Sequence, residues 1–226
     1  MDVEAFTSKI SGQTAFFRDL EAFQNFGKHV LPRLRGERRR ILSLPCATGQ
    51  EAYSIALMAK EYGRFPFEVR GVDINPESVS FAQKGEYECL LSEWAVMLEY
   101  FERGWLERRS GLAEEFPLSV AGKVRENVSF SVGDILERRV EGSFDVVFCL
   151  NFLYHFKPRS KDRIVENLVA AMKPGGFLVL DSFTRPDSYM NERLRFRQTV
   201  HNDYLPELQS RHGLEKLCGA EIYRKS

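Results

Sequence analysis

The stretch that most limits what this chain can fold into is Leu42 to Ala56, LSLPCATGQEAYSIA. Ile41 to Leu44 is a short apolar run that reads as a buried strand, and Pro45 stops it. Cys46-Ala47-Thr48-Gly49 is a turn of small residues. From Glu51 to Tyr62 the apolar residues Ala52, Ile55, Ala56 and Ala59 fall at i, i+3, i+4 and i+7, the spacing of a helix with one buried face. A strand, a small-residue turn and a helix form the half-unit that lets a bulky nucleotide approach backbone at the carboxyl end of a strand.

Further strand ends point to the same edge. Val69 to Asp73 is a second apolar strand closed by an acid, which can accept hydrogen bonds from ribose hydroxyls. Val128 to Asp134 alternates apolar and polar residues, ends in another acid and runs into Ile135-Leu136, apolar surface suited to an adenine. Phe144 to Leu150 is a fourth strand and delivers Asn151. The turn is not GxGxxG, and Gln50-Glu51 at the helix start puts a carboxylate where a pyrophosphate would want only N–H groups. A ligand with a nucleoside and a cationic centre fits better, and S-adenosylmethionine is such a ligand.

Strands near 41–44, 69–73, 128–132, 144–149 and 177–181 alternate with helices near 51–62, 76–84 and 161–172. This predicts an α/β fold, a Rossmann-like, mainly parallel sheet covered on both sides. Phe16 to Leu34 reads as a helix or helices ahead of the sheet, and Lys173-Pro174-Gly175-Gly176 as the turn into the fifth strand. The connection from about Gly85 to Asn127 is too long for a simple loop and carries Trp94, Tyr100, Phe101 and Trp105, so it reads as an inserted subdomain. The expected organisation is a helical segment over residues 1–36, a cofactor domain over 37–226, and an insert at about 86–127.

Lys plus Arg equals Asp plus Glu, 32 against 32, so no global field draws the protein to nucleic acid or an anionic membrane. The basic run from Arg33 to Arg40 reads as a solvated approach to the first strand. Cys46, Cys89, Cys149 and Cys218 show no CxxC spacing and read as reduced thiols of a cytoplasmic protein, with no metal site. No apolar run approaches the roughly 20 residues of a membrane span, and the N-terminus lacks the pattern of a signal peptide.

Several segments together carry a resemblance to a known family. Thr14-Ala15-Phe16-Phe17-Arg18, Pro45 to Ser54 (PCATGQEAYS), Gly71 to Asn75 (GVDIN), Ala82 to Tyr87 (AQKGEY) and Phe144-Asp145 to Asn151 closely resemble the CheR-type protein-glutamate methyltransferases. Those enzymes methylate chemotaxis receptors with S-adenosylmethionine. The resemblance runs from about Thr14 to Gly176, and the segment near Tyr100-Phe101-Glu102-Arg103-Gly104 looks like the family's inserted β-subdomain, which in some members grips a receptor tail. Only 13 residues precede Thr14, which implies that the family's N-terminal helical domain is lacking.

The resemblance implies roles for particular residues. Thr14 and Arg18 would stand beside the transferred methyl, and Ala47 and Glu51 would line the methionine end of the cofactor. Asp73 would hold the ribose. Asp134, where the family usually has Asn, would lie near the adenine with Ile135 beside it. Asn151 would sit close to the methyl donor. Thr48 and Gly49 of the turn, Ile74 after the acid and Phe152 after Asn151 complete the expected cofactor contacts. Leu150 stands where the family has Arg, and the family's Tyr falls on His155, with Tyr154 one place early.

A carboxylate acceptor is ionised at neutral pH and needs no strong base, only a cation to hold it. Arg18 would supply a planar fork for it, with Tyr154 or His155 orienting it. His155 could instead act as a base for a hydroxyl or amine acceptor. Three readings follow. The first is a methyltransferase acting on a protein glutamate. The second is an O- or N-methyltransferase for a small molecule, with a pocket lined by residues such as Tyr189, Phe196 and Tyr204. The third is a signalling module that binds S-adenosylmethionine or S-adenosylhomocysteine without turnover.

Overall fold

A computed structural model describes residues 14–89, 91–109, 116–137, 140–180, 204–217 and 221–226, without the side chains of 89, 91–96, 116 and 208. Tyr189, Phe196 and the segment after the fifth strand, 181–185, lie outside the described residues, as do residues 1–13 and Cys218.

Seven strands form the main sheet. In chain order they are β1 (Arg39–Ser43), β2 (Phe67–Asp73), β6 (Val128–Val132), β7 (Phe144–Cys149), β8 (Met172–Leu180), β9 (Leu214–Lys216) and β10 (Ile222–Lys225). Their spatial order is β6-β2-β1-β7-β8-β10-β9. The five strands from β6 to β8 are parallel, whereas β10 runs antiparallel to both β8 and β9. This is the Rossmann-like α/β sheet that the alternating pattern predicts. The order reverses direction between β1 and β7, so a crevice opens at the carboxyl ends of those two strands.

The apolar runs explain why these strands lie in the middle. Every residue of β7 is buried. Val146 and Phe148 enter one core with Ile41, Ile55 and Val69. Val147 and Cys149 enter the other with Leu42, Leu44, Ile164 and Leu168. Successive side chains of a strand point to opposite faces, so a continuous apolar run serves two cores. The first core is covered by α1 (Leu20–Asn25) and α2 (Gln50–Tyr62), the second by α6 (Pro158–Ala171).

Two boundaries differ from expectation. The helix or helices expected across 16–34 are a run of three short pieces that begins only at Leu20, where Asp19 caps the first by accepting the Ala22 N–H at 3.1 Å, and that passes through a π turn at Phe26–Val30 to a 3-10 turn at Leu31–Arg33. The Lys173-Pro174-Gly175-Gly176 turn lies within β8. Phe144 pairs with Met172 and Val146 with Phe177, so the four residues bulge out of the ladder.

The insert folds into a second, antiparallel sheet of order β3-β5-β4, built from β3 (Glu86–Cys89), β4 (Leu106–Arg108) and β5 (Phe116–Val120). Between β3 and β4 runs the helix α4 (Leu91–Glu102), and the short α5 (Gly122–Arg125) follows β5. Tyr100 on that helix stacks on Phe17 at 5.4 Å and on Trp105 at 6.1 Å, and Arg103 pairs with Glu61 of α2 at 2.7 Å. The insert is thus tied to both the N-terminal segment and the first helix of the sheet domain. The basic run is engaged locally: Arg33 donates to the His29 carbonyl, Arg35 to the Pro32 carbonyl, and Arg40 pairs with Glu68 at 2.6 Å. Among the described residues no helix is long and apolar enough to cross a membrane.

Candidate active site

The turn after β1 is shaped by backbone before any side chain acts. The Leu44 N–H donates to the Phe148 carbonyl of β7, and the Cys46 N–H to the Val72 carbonyl of β2. The chain then reverses through Ala47 at φ 45° and Gly49 at φ 96°. The Gly49 N–H closes the turn on the Cys46 carbonyl at 2.9 Å, and α2 starts at once. Glycine is needed at 49 for packing as well as for conformation. A Cβ there would come within 2.7 Å of the Ala82 Cβ, 2.9 Å of the Tyr87 hydroxyl and 3.1 Å of Phe130. The turn rests on a bed of aromatic rings, and only its outer face is left for a ligand.

Asp73 ends β2 directly beside this turn. Its Oδ2 accepts the Ala47 N–H at 2.8 Å and its Oδ1 the Asn75 N–H at 2.9 Å. Burial raises its pKa above the ordinary aspartate value, and backbone N–H bonds from Asn75, Ala47 and Ile74 oppose that rise. Each carboxylate oxygen can accept more than one hydrogen bond, so lone pairs remain for a vicinal diol. Glu51, in the first turn of α2, accepts the Ser43 hydroxyl at 2.7 Å. Two carboxylates and exposed apolar surface at Ile74 suit a ligand with a ribose, a base and a positive charge. Those residues fit S-adenosylmethionine, the ligand that the sequence predicts.

The other expected residues fall at the same edge. Val132 pairs in register with Asp73 at the end of β6, and 56% of it is exposed. Asp134 follows and bends the chain by accepting the Leu136 N–H at 2.7 Å. Ile135 is buried in the second core, so it presents less surface than the sequence suggests. Thr48 donates its hydroxyl to the Gln50 side chain at 2.8 Å. At the end of β7, Asn151 is left-handed at φ 56° and half-buried. Phe152, also half-buried, meets Phe156 edge-on at 4.7 Å. Tyr154 is buried and its ring lies 4.2 Å from that of half-buried His155, within a 3-10 turn.

The N-terminal motif reaches this edge by docking on α2. The Phe17 N–H donates to the Ser54 hydroxyl at 3.0 Å, and that hydroxyl donates to the Gln50 carbonyl at 2.8 Å. Phe16 and Phe17 are buried, Thr14 is half-buried and Arg18 is exposed. Phe17 itself is left-handed, at φ 52°. Among the described residues, the non-glycine positions with such a backbone are Phe17, Ala47 and Asn151. Each comes from a different segment, and each belongs to the edge where the sequence motifs gather. Strained conformations of this kind cost of order 1–3 kcal/mol and concentrate at ligand sites.

Sequence reasoning missed three contributors. Ser43 is a buried hydroxyl in an apolar strand, and that mismatch was its signal. Val132 was hidden by its alternating strand. Tyr87 showed only as the last residue of a motif, with nothing to reveal its reach to the turn. Tyr204, expected to line a small-molecule pocket, donates its hydroxyl to Asp162 of α6 at 3.0 Å. Among the described residues no cluster of His, Cys, Asp or Glu could hold a metal ion.

Comparison with known proteins bears on the fold and the family. A solved structure described as a possible exported protein from Bordetella parapertussis shares the fold, with a TM-score of 0.54 at 15% identity, covering 91% of this chain and 67% of that one. Chemotaxis protein methyltransferase 1 of Pseudomonas aeruginosa is 29% identical over 192 residues, 80% of this chain and 67% of its own length. The protein named "Probable biofilm formation methyltransferase WspC" of Pseudomonas putida is 34% identical over 180 residues, 74% of this chain and 40% of its own length. The chain therefore spans between two-fifths and two-thirds of the curated relatives it resembles. The family described as "CheR methyltransferase, SAM binding domain" matches residues 12–192. With residues 12–192, most of its length, matched by that family, the chain belongs to the CheR methyltransferase family, of which it carries the S-adenosylmethionine-binding domain.

Proposed function

We propose that this protein transfers a methyl group to a carboxylate, that of a glutamate side chain on a partner protein. The observation that supports this reading is the docking of Phe17 onto α2, the helix that starts at the donor turn, through its N–H bond to the Ser54 hydroxyl; the neighbouring Arg18 of the same motif is exposed. S-adenosylmethionine, when bound, supplies an already activated methyl group. The chain's task is then alignment and exclusion of water. Asp73 and Glu51 would hold the donor, and Asn151 and Phe152 would border the reacting centre. Arg18 would grip the acceptor by its planar fork. Esterification of an ionised carboxylate releases no proton, so no residue has to act as a base. The names of the relatives, a chemotaxis protein methyltransferase and a probable biofilm formation methyltransferase, support a protein of a chemotaxis or biofilm-forming system as the partner. Action in the cytoplasm follows from that reading.

Incubation with methyl-tritiated donor and cell lysate tests it. Label is expected in base-labile protein ester, and Arg18→Ala should abolish that label while S-adenosylhomocysteine affinity stays within about threefold. Arg18→Lys should recover little, because a point charge does not reproduce a bidentate fork. Full turnover by Arg18→Ala would sink the carboxylate clamp. A small-molecule acceptor is favoured by one observation, the half-buried His155 beside Tyr154 at the end of β7. Label in small molecules, lost in His155→Gln, would establish that reading instead. Donor binding with no label anywhere would identify a binding module.

A further inference from the structure

Tyr87 belongs to the insert, as the second residue of β3, yet its hydroxyl leaves that sheet. It donates to the Thr48 carbonyl at 2.8 Å, inside the turn between β1 and α2. The same oxygen lies 2.9 Å from where a Cβ on Gly49 would stand. The ring is buried and meets Phe16 edge-on at 5.2 Å, Tyr53 at 6.0 Å and Phe81 at 5.7 Å. On the insert side Tyr87 pairs in register with Leu118 of β5. One side chain therefore touches the donor turn, the N-terminal motif and the small sheet.

We propose that Tyr87 is a positioning residue for the methyl donor, which sets the Thr48-Gly49 turn from within the insert. The Thr48 carbonyl faces the protein because the Tyr87 hydroxyl holds it there. That choice of peptide orientation leaves the outer face of the turn to the ligand. Remove the hydroxyl and the peptide between Thr48 and Gly49 loses its anchor, while the ring and its packing stay. The turn then samples orientations that a donor must reverse on binding, and affinity falls. Because coupling free energies are reciprocal, a donor in the site also stiffens β3 through the same bond. The inference rests on S-adenosylmethionine being the ligand of this edge.

Tyr53 supplies the matched control. Its hydroxyl is also buried and donates to a carbonyl, that of Ala82 at 3.0 Å, which lies outside the turn. Both Tyr87→Phe and Tyr53→Phe lose one phenolic hydrogen bond and should lose similar thermal stability. Calorimetric titration with S-adenosylhomocysteine is expected to weaken about five- to tenfold in Tyr87→Phe and less than about twofold in Tyr53→Phe, the size of one hydrogen bond of ordinary strength. In the ligand-free protein, amide exchange at Gly49 should quicken in Tyr87→Phe alone. Equal affinities in the two variants, or equal losses, would overturn the positioning role. A wild-type protein that failed to bind S-adenosylhomocysteine would overturn the ligand assignment along with it.

Discussion

Each oxygen of the Asp73 carboxylate already accepts one backbone N–H, from Ala47 and from Asn75. The side chain therefore braces the turn as well as facing it. Asp73→Ala should weaken S-adenosylhomocysteine binding by well over tenfold, since charged hydrogen bonds are worth about 1.5–3 kcal/mol each. It should also lower the unfolding free energy, because the Ala47 and Asn75 amides lose their acceptor. Asp73→Asn keeps one acceptor oxygen and should keep more of the stability than of the affinity. Titration calorimetry and urea unfolding of both variants check this, and unchanged affinity in Asp73→Ala would remove the residue from the site. The raised pKa adds a pH dependence. Binding needs the ionised form, so affinity should fade on acidification at a pH above the ordinary aspartate range of about 3.9. Stability responds in the opposite sense at this residue. A raised folded pKa favours the protonated protein, so its contribution to folding is greatest at low pH and declines as pH rises through that value.

At the scale of elements, β1, β2, β6, β7 and the helices α2, α6 and α3 (Pro76–Lys84) were legible because their periodicity is clean and their ends are marked. Asn75 caps α3 by accepting the Glu77 and Ser78 N–H groups, and Gly85 ends it in a left-handed turn that glycine adopts without a Cβ penalty. The strands of the insert and the pair β9–β10 were not legible. Each is three to five residues long, and their antiparallel partners are set by tertiary contact. Strand propensity is too weak and context-bound to find such pieces. The site followed the same division. Residues at strand ends and in the turn could be read from order along the chain, whereas Tyr87 could not, because its role depends on an insert folding back. Gly49 offers the test at this scale. Alanine there meets a positive φ and three close neighbours, so Gly49→Ala should destabilise by roughly 2 kcal/mol or more. Urea unfolding reads that loss, and a midpoint equal to wild type would show that the aromatic bed yields to the methyl.

Taken whole, the sheet carries its chemistry on one edge and its main ionic anchor toward the other. Asp145, near the start of β7, is buried and accepts Arg39 Nη1, the Arg40 N–H and Lys173 Nζ, each at 2.8 Å. Burial alone would raise its pKa, but the bonds from Arg40, Lys173 and Arg39 outweigh it and hold the carboxyl below the ordinary value. Its stabilisation is therefore present above the unfolded pKa and lost as pH falls through the folded one. Asp145→Asn should cost about 1–3 kcal/mol near neutrality, discounted because Arg39 and Lys173 are partly solvated, and should flatten stability against pH below about pH 4. Denaturant melts across that range decide it; coincident curves for the two proteins would show that the cluster is neutral in energy.

The strand order has a consequence for how the molecule comes into being. β10 lies between β8 and β9, although it is made after both. Before Ile222 to Lys225 are made, β9 has only the preceding helix Glu207–His212 and the core around Leu214 to rest on, and among the described strands none pairs with the far edge of β8. Both wait for Ile222 to Lys225 to arrive and close the gap from each side. The parallel half of the sheet, with its donor turn, can assemble earlier. Joining β9 to the parallel half of the sheet therefore depends on Ile222 to Lys225, the strand through which both edges are linked.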